Sequence, residues 1–193
     1  MLRRISGACG ITSQLVGLAV ILAVISYSPW FRWTEYDISV LGVEGSAATL
    51  FNWGLILIGL LSLIFAIGLW KSLVINRVGR FGVASLFLGS ISISLVGIFP
   101  RTINLPHDSA SIAFYIFIAL ALLLVGIAAI IASQKAFGVL SIVGGILIVV
   151  ILRAPWPWSG GTIEQVLACL PWSLWTVILG VRMFGSLPLS FVS

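Results

Sequence analysis

The sequence predicts an all-α integral membrane protein: six transmembrane helices in one bundle spanning residues 1–193, with both termini in the cytoplasm. Three observations carry this. Charged residues make up 8% of the chain and apolar ones 61%, against roughly 25% and 45–50% in an average soluble domain. The apolar residues fall in runs about twenty long, the length that crosses a hydrocarbon core of about 30 Å at about 1.5 Å per residue. The runs do not alternate polar with apolar, as barrel strands would.

The first run, about 8–28, follows Arg3 and Arg4. A secretory signal peptide is the competing reading. The apolar stretch exceeds a typical h-region and no clear small-x-small site follows, so it reads as a retained anchor. The other runs lie at about 51–71, 81–99, 110–133, 137–153 and 163–184. Glycines recur in them, including Gly17, Gly54, Gly59, Gly68, Gly82, Gly89, Gly144 and Gly145. Such positions let helix backbones approach closely in lipid, where no hydrophobic drive joins helices. Ser85, Ser90, Ser92 and Ser94 in the third run read as packing hydroxyls that bond across helices or to their own backbone, with a polar cavity lining as the alternative. Pro171 removes a backbone hydrogen bond within the sixth run and predicts a kink there. The tail after Arg182 reads as a short cytoplasmic end.

Charge sets the expected orientation, because Lys and Arg near short loops stay cytoplasmic. Arg3, Arg4, Lys71, Arg77, Arg80, Lys135 and Arg182 share one side with no acid. Arg32, Arg101 and Arg153 share the other with Glu35, Asp37, Glu44, Asp108 and Glu164. The net charge of +5 therefore suits the anionic inner leaflet of a cell membrane, and no nucleic-acid motif accompanies it. Trp30, Trp33, Trp53, Trp70, Trp156 and Trp158 flank the runs and read as interfacial anchors.

No ionisable residue falls within the centre of any run, which argues against proton- or ion-driven transport. One histidine and two cysteines cannot supply bis-histidine haem or iron–sulfur ligation. No cofactor is implied. Cys9 is expected near the cytoplasmic end of the first helix and Cys169 toward the outer half of the sixth, so a disulfide between them is geometrically implausible and both read as small apolar residues.

The polar chemistry gathers in the outer loops. In the first, Trp33, Tyr36, Val40 and Val43 recur at helical spacing, predicting a short interfacial helix that points Asp37 and Ser39 to different faces. Asn52 follows at the mouth of the second helix. In "IFPRTINLPHDSA", Pro100 ends the third helix and Asp108 is placed to N-cap the fourth; His107 faces inward to the bundle mouth or outward to water. In "GGTIEQ", Thr162 and Gln165 fit a capping box, with Glu164 in the first turn.

The runs "DISVLG", "LFNWGLILIGLL", "GIFPRTINLPHDSASIAFYIF" and "TIEQVLACLPWSLWTVILG" together resemble the prokaryotic six-helix membrane family called domain of unknown function 998, grouped with the Frag, DRAM and Sfk membrane proteins. The resemblance covers almost the whole chain and rests on the ordered spacing of Asp37, Ser39, Gly42, Asn52, Phe99, Pro100 and His107. In the family pattern an arginine commonly follows the helix-six glutamate. This chain has Gln165 there, so no Glu–Arg pair is implied. By analogy with eukaryotic members of the wider group, the resemblance implies a role connected with membrane lipid.

Two classes of function follow. In the first, the outer cluster binds or modifies a lipid headgroup: His107 and Asp37 move a proton as the catalytic pair, and Ser39, Asn52, Arg101 and Glu164 bind substrate, Arg101 gripping a phosphate. A metal variant using His107, Asp37 and Asp108 falls short of a usual zinc set. In the second, the chain is a non-catalytic subunit or scaffold of a membrane complex or homo-oligomer, its outer polar residues capping helices and pairing Asp37 with Arg101 or Arg153. A facilitative carrier of a neutral or amphipathic substrate is a third reading, which no internal repeat supports.

Overall fold

The computed structural model describes residues 1–43, 45–72 and 76–185. Glu44 and the expected cytoplasmic tail from residue 186 onward lie outside the described residues. Six helices run in order: α1 (Leu2–Ser26), α2 (Gly45–Ser72), α3 (Arg77–Ile98), α4 (Asn104–Ile131), α5 (Lys135–Arg153) and α6 (Thr162–Phe184). All six are long and apolar enough to cross a membrane, and no strand occurs among the described residues. The chain is thus a multi-pass integral membrane protein.

Each helix packs on its successor in sequence, and α6 closes the ring against α1. Phe65, Leu69, Leu86, Leu122, Trp175 and Leu179 form part of the fully buried interior. The Trp175 indole donates to Ser141 Oγ at 3.0 Å, a partner that its burial in an apolar core requires. Small residues set the closest seams, as expected of helices packing in lipid. A Cβ on Gly7 would sit 2.6 Å from the Gly180 carbonyl oxygen, so α1 and α6 meet backbone to backbone. Ser90, Ser92 and Ser94 donate to the carbonyls of Leu86, Leu88 and Ser90, four residues back, at 2.8–3.2 Å. These hydroxyls serve their own helix and the seams beside it.

Three helix starts lie well before expectation, that of α2 at Gly45 rather than near 51 among them. Helix α1 begins at Leu2 rather than near residue 8, so Arg3 and Arg4 stand in its first turn. Helix α4 begins at Asn104 rather than near 110. Pro106 is compatible with this because a first-turn residue has no intrahelical partner for its N–H. The His107 N–H already bonds the Ile103 carbonyl at 3.2 Å. Asp108 is therefore not the N-cap: it lies exposed in the helix, and Ile103 at the cap position makes no side-chain capping bond.

The connections α1–α2, α3–α4 and α5–α6 meet at one end of the bundle, and the described acids Glu35, Asp37, Asp108 and Glu164 all belong to it. The first connection is folded. Phe31, Leu41, Val24, Ala47 and Phe51 give it a small apolar core, and the regular element among its described residues is a 3-10 helix, Ile38–Gly42, which covers only the later part of the stretch where a short interfacial helix is expected.

Candidate functional site

The acid-bearing end is held by a clasp between the first and third of these connections. The Gly160 N–H donates to the Thr34 carbonyl at 2.9 Å, and the Thr162 N–H to that of Tyr36 at 3.2 Å. The Thr162 hydroxyl donates to the same Tyr36 carbonyl. A Cβ at Gly160 would overlap the Tyr36 nitrogen, and one at Gly161 would overlap the Asp37 carboxylate. The "GG" pair thus permits a close approach that no larger residue allows. Thr162 is not the cap of α6, contrary to the capping-box expectation. It is the first helical residue, Gly161 precedes it without a side-chain bond, and the buried hydroxyl is committed to Tyr36.

With residues 34–38 fixed, Asp37 and Ser39 converge on one cation. Arg101 Nη1 pairs with Asp37 Oδ2 and donates to Ser39 Oγ at 2.9 Å. The expectation that the two residues face apart fails because a tight 3-10 turn, with Asp37 extended just before it, brings both side chains to the same side. Of the two arginines considered for Asp37, Arg101 is the partner. Side-chain exposures of 38% and 30% put the pair at a half-wet boundary, where screening is partial.

The remaining candidates each hold a different joint. Asn52 Nδ2 donates to the Gly42 carbonyl at 3.0 Å, tying the end of the 3-10 turn to α2. His107 is 4% exposed, faces inward, and places Nδ1 2.8 Å from the Phe99 carbonyl. A carbonyl only accepts, so Nδ1 carries the proton. Glu164 accepts from Trp158 Nε1 at 2.7 Å. Trp158 in turn stacks on Trp156 at 4.8 Å, whose indole donates to the Ile151 carbonyl near the end of α5. These two tryptophans therefore lock a connection as well as flanking a span. No hydrogen bond joins Asp37 to His107 among the described residues, and no three His, Cys, Asp or Glu side chains there lie close enough to hold a metal ion.

Beneath this cap a cavity of about 380 Å³ runs between α1 and α6, with α2, α3 and α4 behind it. Ile38, Ser39 and Gln165 line its upper end, and Ser13, Gln14 and Ser173 are among its other lining residues. Leu15, Leu18 and Leu170, all exposed, line it as well, so it communicates with the lipid-facing surface. Toward the other end the seam is shut where Gly7 meets Gly180. The wall is mainly apolar, with Tyr115 and Cys169 as further polar groups. Gln165 accepts from the Ile38 N–H at 3.4 Å, and its own carbonyl accepts from Tyr115 Oη at 3.4 Å. It thereby joins the loop cap to the cavity.

Of the sequence candidates only Ser39 lines the cavity directly, and Arg101 and Asp37 stand behind it. Gln14 and Ser173 are missed by the sequence reading, and Gln165, expected there as half of a capping box, is a cavity residue instead. A search for ionisable residues passes over an amide, yet Gln14 is the single side-chain amide in the first apolar run, and that is the signal that would have found it.

No curated protein and no solved structure matches the chain. The family model described as protein of unknown function (DUF998) matches residues 11–182, nearly all of the bundle and every element of this site, and the chain accordingly belongs to the DUF998 family.

Proposed function

We propose that the protein binds a membrane lipid, its apolar body in the α1/α6 cavity and its polar end against Ser39 and Gln165, beneath the Asp37–Arg101 pair. The observation that carries this is the shape and chemistry of the cavity. It reaches the lipid-facing surface, it is mainly apolar, and its polar lining includes groups directly under the loop cap. Its volume falls within the roughly 300–1,000 Å³ of small-molecule sites. Binding is favoured over chemical modification of the lipid: the His107 ring is bonded to Phe99 and the Asp37 carboxylate to Arg101, so the two expected proton carriers serve separate partners.

The test is a cavity-filling substitution. A Cβ on Gly17 meets only Ile58 Cδ1, at the ordinary contact distance of 3.5 Å, and Gly17 lines the cavity. Gly17→Leu is therefore expected to leave the fold intact and occupy the ligand's volume. Native mass spectrometry of the gently purified parent should show a retained lipid that the variant lacks. A parent that retains none, or a variant that retains the same lipid equally, overturns the proposal.

A second reading has its own support: Thr162 fastens the α5–α6 connection to the α1–α2 connection, and Asn52, His107 and Glu164 each brace a connection against its adjoining helix. In that reading the chain is a structural subunit and the cap exists for rigidity. Absence of a retained lipid in the parent, with the loop bonds proving stabilising, favours it.

A further inference from the structure

The α1/α6 cavity has a second polar group deep in the bundle. Ser13 Oγ donates to the Gly10 carbonyl at 2.7 Å, so this oxygen is left to accept, and Gln14 Nε2 donates to it at 2.9 Å. Gln14 Oε1 accepts in turn from Ser173 Oγ across the helix seam at 2.8 Å. A glutamine amide offers two N–H donors and a carbonyl with two lone pairs. One donor and one lone pair remain unspent among these contacts, and all three residues line the cavity. Trp172, also in the wall, is 6% exposed and its indole N–H has no partner. Unpaired donors at membrane depth are costly, since lipid tails offer nothing to bond.

Resting on the lipid-binding reading above, we infer that Gln14 and Ser173 form an interior hydrogen-bonding subsite for an uncharged hydroxyl or carbonyl carried partway along the ligand's apolar chain. Ser173 lies eight residues after Gln165 on α6, which at about 1.5 Å per residue separates the two polar levels by about 12 Å. The preferred ligand is thus a lipid with a polar end and a second, neutral oxygen about that far along its body. The Gln14–Ser173 bond also helps join α1 to α6. That role alone would make Gln14 matter for stability while leaving it indifferent to what the chain carries.

The full-length protein in detergent micelles is tested by displacement of radiolabelled octadecanoic acid with three unlabelled acids: octadecanoic, 2-hydroxyoctadecanoic and 10-hydroxyoctadecanoic. The mid-chain hydroxy acid is expected to displace at a concentration about five-fold lower than the other two, the worth of about one net hydrogen bond. Gln14→Leu should erase that preference while still binding octadecanoic acid, and this residual binding reports that the variant is folded. Equal displacement by all three acids in the parent, or a preference that survives Gln14→Leu, overturns the inference and leaves lipid binding itself standing. Failure of the parent to bind any of the acids overturns the ligand class, while the retained-lipid comparison of parent and Gly17→Leu judges the broader reading separately.

Discussion

Gly160→Ala is the sharpest probe of the loop clasp on which the site depends. The added Cβ meets the Tyr36 nitrogen and the Glu35 carbonyl carbon, which are backbone atoms and cannot rotate away. Two relaxations are open. The connections can strain in place, at about 1–3 kcal/mol for overpacking. Alternatively they separate and lose the bonds from Gly160 N–H to Thr34 and from the Thr162 N–H and hydroxyl to Tyr36, at about 0.5–1.5 kcal/mol each. The lower of the two governs, so the expected loss is about 1–3 kcal/mol. At about 2–4 °C per kcal/mol for a chain of this size, the midpoint of thermal unfolding in detergent should fall by several degrees. Limited proteolysis should also cut the first connection faster, a local signature that general destabilisation of the helices would not give. Ser159→Ala is the control: its bond to Thr34 is exposed and long at 3.5 Å, and its removal should cost less than about 0.5 kcal/mol. A Gly160→Ala protein that melts and resists protease like its parent refutes the clasp.

Other expectations follow from the same geometry. A double-mutant cycle with Asp37→Asn and Arg101→Gln should yield a coupling of about 1 kcal/mol that weakens with added salt, because the pair is partly exposed; zero coupling at low salt would show that the pair is not formed in solution. Nitrogen-15 NMR of neutral His107 should find the proton on Nδ1, and His107→Ala should destabilise by about 1–3 kcal/mol by stripping the Phe99 carbonyl of a donor. A proton resident on Nε2 instead would contradict the bond. Asp108→Ala should change stability by less than about 0.5 kcal/mol, whereas loss of a true N-cap would cost about 1 kcal/mol; thermal unfolding tells the two apart.

How much of this was legible beforehand depends on whether the governing rule is local. Six spans, their approximate limits and the small residues at their seams follow from hydrocarbon thickness and composition, which act on any stretch of chain wherever it sits. Capping was misjudged twice for one reason. Asp108 and Thr162 have favourable cap chemistry, but a cap is also a position, and that position moved when Pro106 proved compatible with an earlier first turn and when Tyr36 presented its carbonyl to Thr162. Gln14 was passed over because a search for charge assumes that only ionisable groups matter in lipid, and an amide with unspent hydrogen bonds is subject to the same penalty.

By itself the sequence determined the solvent, the number of crossings and the gathering of the described acids, the histidine and the loop tryptophans at the connections and adjoining helix starts that share one end of the bundle. Only tertiary structure decided which of those polar groups meet. Partners such as Asp37 with Arg101, Glu164 with Trp158 and Gln14 with Ser173 lie on different elements, and their registry is set by how six helices seat against one another. It also decided that α1 and α6 touch backbone to backbone at Gly7 and Gly180 while enclosing a cavity farther along the same seam. A cavity is a property of surfaces that do not meet, and no single segment of chain encodes it.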